Sequence, residues 1–135
     1  MATIDEMLSA ARDAMEKAYV PYSHFRVGAV IKAASGKIYA GCNVENASYP
    51  VGSCAEQSAI SAMIMGGDTL IEEIVVMGNG EHLVSPCGAC RQRIREFSTP
   101  QTKIHICDKN GVRKTVALSE LLPLSFGPEN LSDSK

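Results

Sequence analysis

Tryptophan is absent from the 135 residues, and aromatic side chains make up only 5% of them. With no basic stretch either, the chain lacks the stacking platforms and the electrostatic groove that hold single-stranded nucleic acid. Lys and Arg (13) are outnumbered by Asp and Glu (15), for a net charge of −2. That balance argues against a polyanion as the main partner, because phosphate binding wants a basic face. No apolar run approaches the ~20 residues that span a bilayer. The N-terminus lacks a basic-then-apolar signal pattern, so the expected compartment is the cytosol. Five cysteines, an odd number, fit reduced thiols used as ligands or core residues rather than a disulfide framework. Repeats, low-complexity segments and linkers are also missing. At this length the expectation is one domain, residues 1–135, burying roughly two-thirds of its unfolded surface.

What is there concentrates in two stretches, Ser53-Cys54-Ala55-Glu56-Gln57-Ser58-Ala59-Ile60 and Ser85-Pro86-Cys87-Gly88-Ala89-Cys90-Arg91-Gln92. Each reads as the first turn of a helix, with Ser53 and Ser85 as N-caps and Pro86 at the first helical position. Cysteines at helix starts feel the positive end of the backbone dipole, which lowers a thiol's pKa. Three such thiolates suit Zn²⁺, and with no histidine beside them one coordination position is left for water, the mark of a catalytic zinc. Glu56 stands two residues after the first cysteine, close enough to handle that water's protons. Simpler explanations exist for each part. A lone Cys-x-x-Cys serves structural zinc or redox chemistry, Ser53-x-x-Glu56 has the spacing of a capping box, and Cys54 could be a small core residue.

Along the rest of the chain, Thr3 and Glu6 have capping-box spacing, and Ile4, Met7, Leu8, Ala11, Met15 and Ala18 follow at helical intervals. Residues 19–25, containing Pro21, read as a loop. A strand over 26–33, a turn at Ala34-Ser35-Gly36-Lys37 and alternation at Ile38, Ala40, Cys42 and Val44 predict a β-hairpin. A helix over 54–65 is stopped by Gly66-Gly67. Ile74-Val75-Val76-Met77 reads as a strand covered on both faces, and a third helix runs over 86–97. Strands at 103–107 and 112–118 join through Asp108-Lys109-Asn110-Gly111, and a helical turn at 119–122 is halted by Pro123. The tail past about residue 127 is polar and expected to fray. This order predicts a three-layer α/β/α arrangement around a mixed five-stranded sheet, with the starts of the two motif helices meeting at one end of it. Cys42 and Cys107 are expected in the core. His24, His82 and His105 match no ligand position, and Arg12, Lys17 and the charges of 91–96 other than Arg91 read as solvated helix faces.

Cys-x-Glu followed by Pro-Cys-x-x-Cys is the three-cysteine form of the zinc nucleobase deaminase signature. The chain resembles the small zinc-dependent cytidine deaminases over nearly its whole length. It also matches them at Pro21-Tyr22-Ser23-His24-Phe25-Arg26-Val27-Gly28-Ala29 and at Gly41-Cys42-Asn43-Val44-Glu45-Asn46-Ala47-Ser48-Tyr49-Pro50. The resemblance implies one Zn²⁺ per subunit on Cys54, Cys87 and Cys90, with Glu56 shuttling protons between water, the pyrimidine N3 and the leaving ammonia. It implies ribose contacts from Asn43 and Glu45, the latter accepting from the 3′-OH, so that cytidine and 2′-deoxycytidine would both enter. Phe25 would pack on the base and the Ala55 N–H would face its carbonyl. Ala47, Tyr49 and Phe126 would reach a neighbouring subunit's pocket in a homotetramer.

One departure is visible. Three thiolates on a +2 ion leave the site at −1, and three-cysteine members commonly place an arginine after Cys-Ala-Glu to offset this. Here Gln57 stands there, leaving Arg91 and the helix dipoles as the expected compensation. The competing functions are deamination of a cytosine-containing antibiotic nucleoside, editing of a base in a polynucleotide, and a non-catalytic zinc-stabilised module. Polynucleotide editing is disfavoured by the acidic balance, and the module by Glu56, which a structural zinc does not need.

Overall fold

Thr3 and Glu6 close the capping box their spacing predicts. The Glu6 N–H donates to Thr3 Oγ1 at 3.2 Å, and the Thr3 N–H donates to Glu6 Oε1 at 3.1 Å. The helix they start, α1 (Ile4–Glu16), turns Met7, Leu8, Ala11, Ala14 and Met15 inward. The computed structural model describes residues 2–80 and 83–131, so His82 lies outside the described residues. The elements after α1 are β1 (Val27–Ala33), β2 (Ile38–Cys42), α2 (Ala55–Met65), β3 (Ile71–Gly78) and α3 (Gly88–Glu96). Then come β4 (Lys103–Asp108), β5 (Gly111–Ala117), and the short helices α4 (Leu118–Leu121) and α5 (Pro128–Leu131).

The five strands form one sheet in the order β2-β1-β3-β4-β5. Only β3 and β4 run parallel; β1 is antiparallel to both β2 and β3, and β5 to β4. The mixed sheet expected from the element order is therefore the one observed. Side chains alternate between two cores. Ala29, Ile31, Ile74, Val76, Ile104 and Ile106 face α2 and α3, while Val30, Val75, Met77 and Cys107 face α1. The β1 and β3 strands are covered on both sides, which is why Ile74-Val75-Val76-Met77 is a continuous apolar run.

Two glycines let the helices lie this close. A Cβ at Gly41 would sit 2.4 Å from the Ala59 backbone nitrogen and 2.6 Å from the Ala55 oxygen. On the opposite face one at Gly28 would sit 2.4 Å from the Ala11 oxygen. Both helices thus pack backbone against sheet. Cys42 differs from expectation: at the edge strand β2 it is only partly buried, whereas Cys107 in the inner strand β4 is fully covered.

The register places the site. Gly28 pairs with Cys42 and Val27 with Gly78, so the end of β2, the start of β1 and the end of β3 share one edge. The chain leaves that edge twice, after β2 and after β3, and each excursion returns as a helix, α2 and α3.

Candidate active site

The helix starts lie later than their serines suggest. Cys54 is the N-cap of α2 and Cys87 the N-cap of α3, both extended and without a side-chain capping bond. Ser53 is no cap: its hydroxyl pairs with Ser58 Oγ at 3.1 Å and the Cys54 carbonyl. Ser85 lies two residues before the Cys87 cap and bonds Arg91, and Pro86 precedes the helix rather than opening it. Nor is Glu56 part of a capping box: with Cys54 at the cap it is the second helical residue, and it is buried. The physical reason is the cysteines themselves. At an N-cap the backbone is extended, which carries each sulfur away from its helix and towards the other.

The Sγ atoms of Cys54, Cys87 and Cys90 lie within 4.8 Å of one another, close to the ~3.8 Å edge of a tetrahedron with ~2.3 Å zinc–sulfur bonds. Backbone N–H groups of Cys90 and Ala89 hold the Cys87 thiol below its ordinary value. Burial pushes Cys54 up, and pushes Cys90 far up, with the charge of Glu56 adding to it. Soft thiolates at two helix starts, open on one side, are a fitting donor set for Zn²⁺. Burial also raises the Glu56 carboxyl above its ordinary range.

Two cavities adjoin here. A small one of about 160 Å³ is lined by Val27, Asn43, Cys54, Ala55, Glu56 and Cys87, among others. A wider one of about 420 Å³ is lined by Tyr22, Ser23, Asn43, Glu45, Tyr49 and Cys54, among others. Asn43 and Cys54 form a wall common to both.

The zinc-binding region of the cytidine and deoxycytidylate deaminases matches residues 1–106. The chain belongs to that family. It is 38% identical over 129 residues to the cytidine deaminase of Sporosarcina psychrophila, covering 96% of this chain and 95% of that protein. It is 40% identical to the cytidine deaminase of Mycobacterium tuberculosis over 122 residues, 90% of this chain and 87% of that one. The crystal structure of cytidine deaminase from Burkholderia pseudomallei superposes with a TM-score of 0.87 at 38% identity, covering 93% of this chain and all of that one. The corresponding crystal structure from M. tuberculosis gives 0.80 at 32% identity, covering 94% and 99%. Within this deaminase family the chain is a zinc-dependent hydrolase, and its three clustered cysteines are positioned for the metal.

The deaminase loops carry the remaining expected residues. Asn43 and Glu45 are brought beside Cys54 because Val44 bridges to both Tyr19 and Ser53. The Asn43 amide accepts the Val27 N–H at 2.9 Å and donates to the Phe25 carbonyl at 2.9 Å. The Glu45 carboxylate accepts the N–H groups of Tyr22 and Ser23 and the Ser23 hydroxyl. The Phe25 ring is partly buried against the core and lies over Gly78 and Gly80, and it lines neither cavity. Ala55 opens α2 and lines the small cavity. Ala47, Tyr49 and Phe126 are exposed, Tyr49 edge-on to Tyr22 at 5.9 Å. Of the tail, α5 is tied to α3 by the Arg95–Glu129 ion pair, and Gln92 Nε2 donates to the Phe126 carbonyl at 2.8 Å.

Among the described residues the Gln57 side chain makes no hydrogen bond. Arg91 does not reach the sulfurs: it donates to the Pro86 and Leu121 carbonyls at 2.9 and 3.0 Å and to Ser85 Oγ at 3.2 Å. The sulfur contact comes from a residue read as solvated, Arg93, whose Nη1 lies 3.5 Å from Cys90 Sγ. Its spacing from Cys90, i to i+3 on one helix face, was the available signal. Arg95, read the same way, instead donates to Ser125 Oγ at 2.8 Å.

Proposed function

We propose that the protein deaminates cytidine and 2′-deoxycytidine hydrolytically to uridine and 2′-deoxyuridine, and so serves pyrimidine salvage. The observation that carries this reading is the buried Glu56 carboxyl sharing a small cavity with Cys54 and Cys87, beside a wider cleft holding Glu45. Zn²⁺ on Cys54, Cys87 and Cys90 would act as a Lewis acid, making water a nucleophile near neutral pH. Glu56 accepts a proton from the attacking water and delivers it to the pyrimidine N3, which makes C4 electrophilic. It then takes the proton of the new C4 hydroxyl and passes it to the departing amine, so that water and cytidine become uridine and ammonia. Its burial supports both roles, because a raised pKa makes the carboxylate a better base and keeps more of the acid form present to donate.

The base lies in the small cavity with its O2 facing the Ala55 N–H, one of the helix-start donors without an intrahelical acceptor. Asn43 and Glu45 hold the ribose, Glu45 through the 3′-OH, while Phe25, whose ring lines neither cavity, would have to turn towards the base to pack on it. Residues 1–135 act as a single deaminase domain in the cytosol, where thiolate ligands stay reduced. Ala47, Tyr49 and Phe126 complete the clefts of neighbouring subunits in a homotetramer. Exposure of Tyr49, Val51, Leu124 and Phe126 supports that assembly, since a neighbouring subunit would take these apolar side chains out of water.

The test measures zinc per subunit and the loss of cytidine absorbance in one preparation, for the parent and Glu56→Gln. The expected result is one zinc in both proteins and a rate at least about a hundredfold lower in the variant. A Glu56→Gln protein that keeps its zinc and matches the parent rate would sink the proton-shuttle assignment.

A further inference from the structure

The three sulfurs are not equally provided for. Cys54 and Cys87 are helix N-caps, where the positive end of each helix dipole favours a thiolate. Cys90 lies inside the first turn of α3, beyond the cap, and is completely shielded from water. A buried thiolate with no donor is costly, and a charged donor is the strongest kind available to it. One guanidinium stands there. Arg93, partly buried and one turn along the same helix face, places Nη1 3.5 Å from Cys90 Sγ. Other candidates are absent or engaged elsewhere. Gln57 is neutral and makes no hydrogen bond among the described residues, Arg91 is committed to two carbonyls and a serine, and Arg95 to Ser125 and Glu129.

We infer that Arg93 is the cation that offsets the excess negative charge of the three-thiolate site, acting through Cys90. It is a positioning residue: it fixes the orientation of the Cys90 sulfur and draws electron density from it, and it does not touch substrate. This inference rests on the assignment of the three cysteines as the zinc ligands.

The test uses the zinc-loaded protein and its cobalt(II)-substituted form, for the parent, Arg93→Met, Arg93→Lys and Arg95→Met. Release of zinc to excess chelator is expected to be about ten to a hundredfold faster in Arg93→Met, the usual cost of losing a partner behind a metal ligand. Arg93→Lys, which keeps the charge, is expected to recover most of that loss. In the cobalt form, loss of the donor at Cys90 moves the thiolate-to-metal charge-transfer band to lower energy in Arg93→Met. Arg95→Met, which alters the same helix away from the sulfurs, leaves band and release rate unchanged. An Arg93→Met protein with the parent's release rate and band position overturns the inference. So does faster release with an unmoved band, which would make Arg93 a mere packing residue, and so does Arg93→Lys behaving as Arg93→Met. A parent that takes up neither metal would instead overturn the zinc assignment on which all of this rests.

Discussion

The carboxylate of Glu45 accepts the backbone N–H of Tyr22 at 2.9 Å across 23 residues of chain. The side chain proposed to hold the ribose therefore also shapes one wall of the cleft. The Ser23 hydroxyl, with the Ser23 and Tyr22 amides, holds the carboxyl below its ordinary 4.5. A depressed carboxyl pKa means the anchoring is complete above 4.5 and is lost as pH falls through the lower folded value. Glu45→Gln is expected to raise KM about tenfold with a smaller effect on kcat. It should also speed amide hydrogen exchange over residues 21–25. Unchanged exchange there would show that the loop stands without Glu45.

Gly41→Ala tests the close packing of α2 on the sheet. Its new Cβ would meet the backbone of Ala59 and Ala55, which no rotamer change relieves. A cost of about 3 kcal/mol is expected, read as a lower thermal midpoint. Because α2 carries Cys54 and Glu56, activity should fall with stability. Parent-like melting and turnover would show that the helix shifts freely.

A polar chain crosses the sheet beside α1. Lys32 Nζ lies 2.9 Å from Glu73 and 3.3 Å from Glu72, and Glu73 lies 2.7 Å from His105 Nε2. A carboxylate only accepts, so His105 Nε2 carries the hydrogen, while Nδ1 meets Thr115 Oγ1 at 2.8 Å. Burial opposes ionisation of Glu73, but the hydrogen bonds from Lys32 and His105 outweigh it and leave the carboxyl below 4.5. The Glu73 hydrogen bond raises Lys32 above 10.5. The carboxyl's share of stability is present above 4.5 and vanishes as pH falls through its folded pKa. The lysine's is present below 10.5 and vanishes as pH rises through its own. Glu73→Gln should cost about 1–2 kcal/mol at pH 7, and the gap to the parent should close below pH 4.5. Thermal midpoints across pH 3 to 7 decide it, and a constant gap would refute the pairing.

Removing the metal should act at the meeting of two helices. Cys54 and Cys87 cap α2 and α3, so a bound ion ties elements that are otherwise joined through packing. At a thousandfold excess of zinc over its Kd the tie is worth about 4 kcal/mol. Chelation is expected to lower the thermal midpoint accordingly, with exchange rising first at residues 53–57 and 86–90. A zinc-free protein that melts with the loaded one would refute this.

The ligands were legible in the sequence because a metal admits few donor types, and Cys54, Cys87 and Cys90 stand out against a chain with only two other cysteines. Ile74-Val75-Val76-Met77 and the stripe of α1 were legible because burial imposes a period. The helix starts were read one and two residues early. Capping by serine is a local preference worth about 1 kcal/mol, and here the cysteines occupy the caps instead. Arg93 was missed because an arginine among polar neighbours on a helix looks solvated until the depth of its neighbour Cys90 is known.

Residue chemistry and its spacing along the chain thus determined the donor set, the Glu56 carboxyl and the alternation of helices and strands. These follow from local bonding preferences that a linear string carries. Which cation faces the sulfurs, how deep Glu56 lies and which loop Glu45 anchors were decided only by the tertiary structure. Each depends on a pairing between segments tens of residues apart, and chain geometry sets that distance only once the sheet has closed.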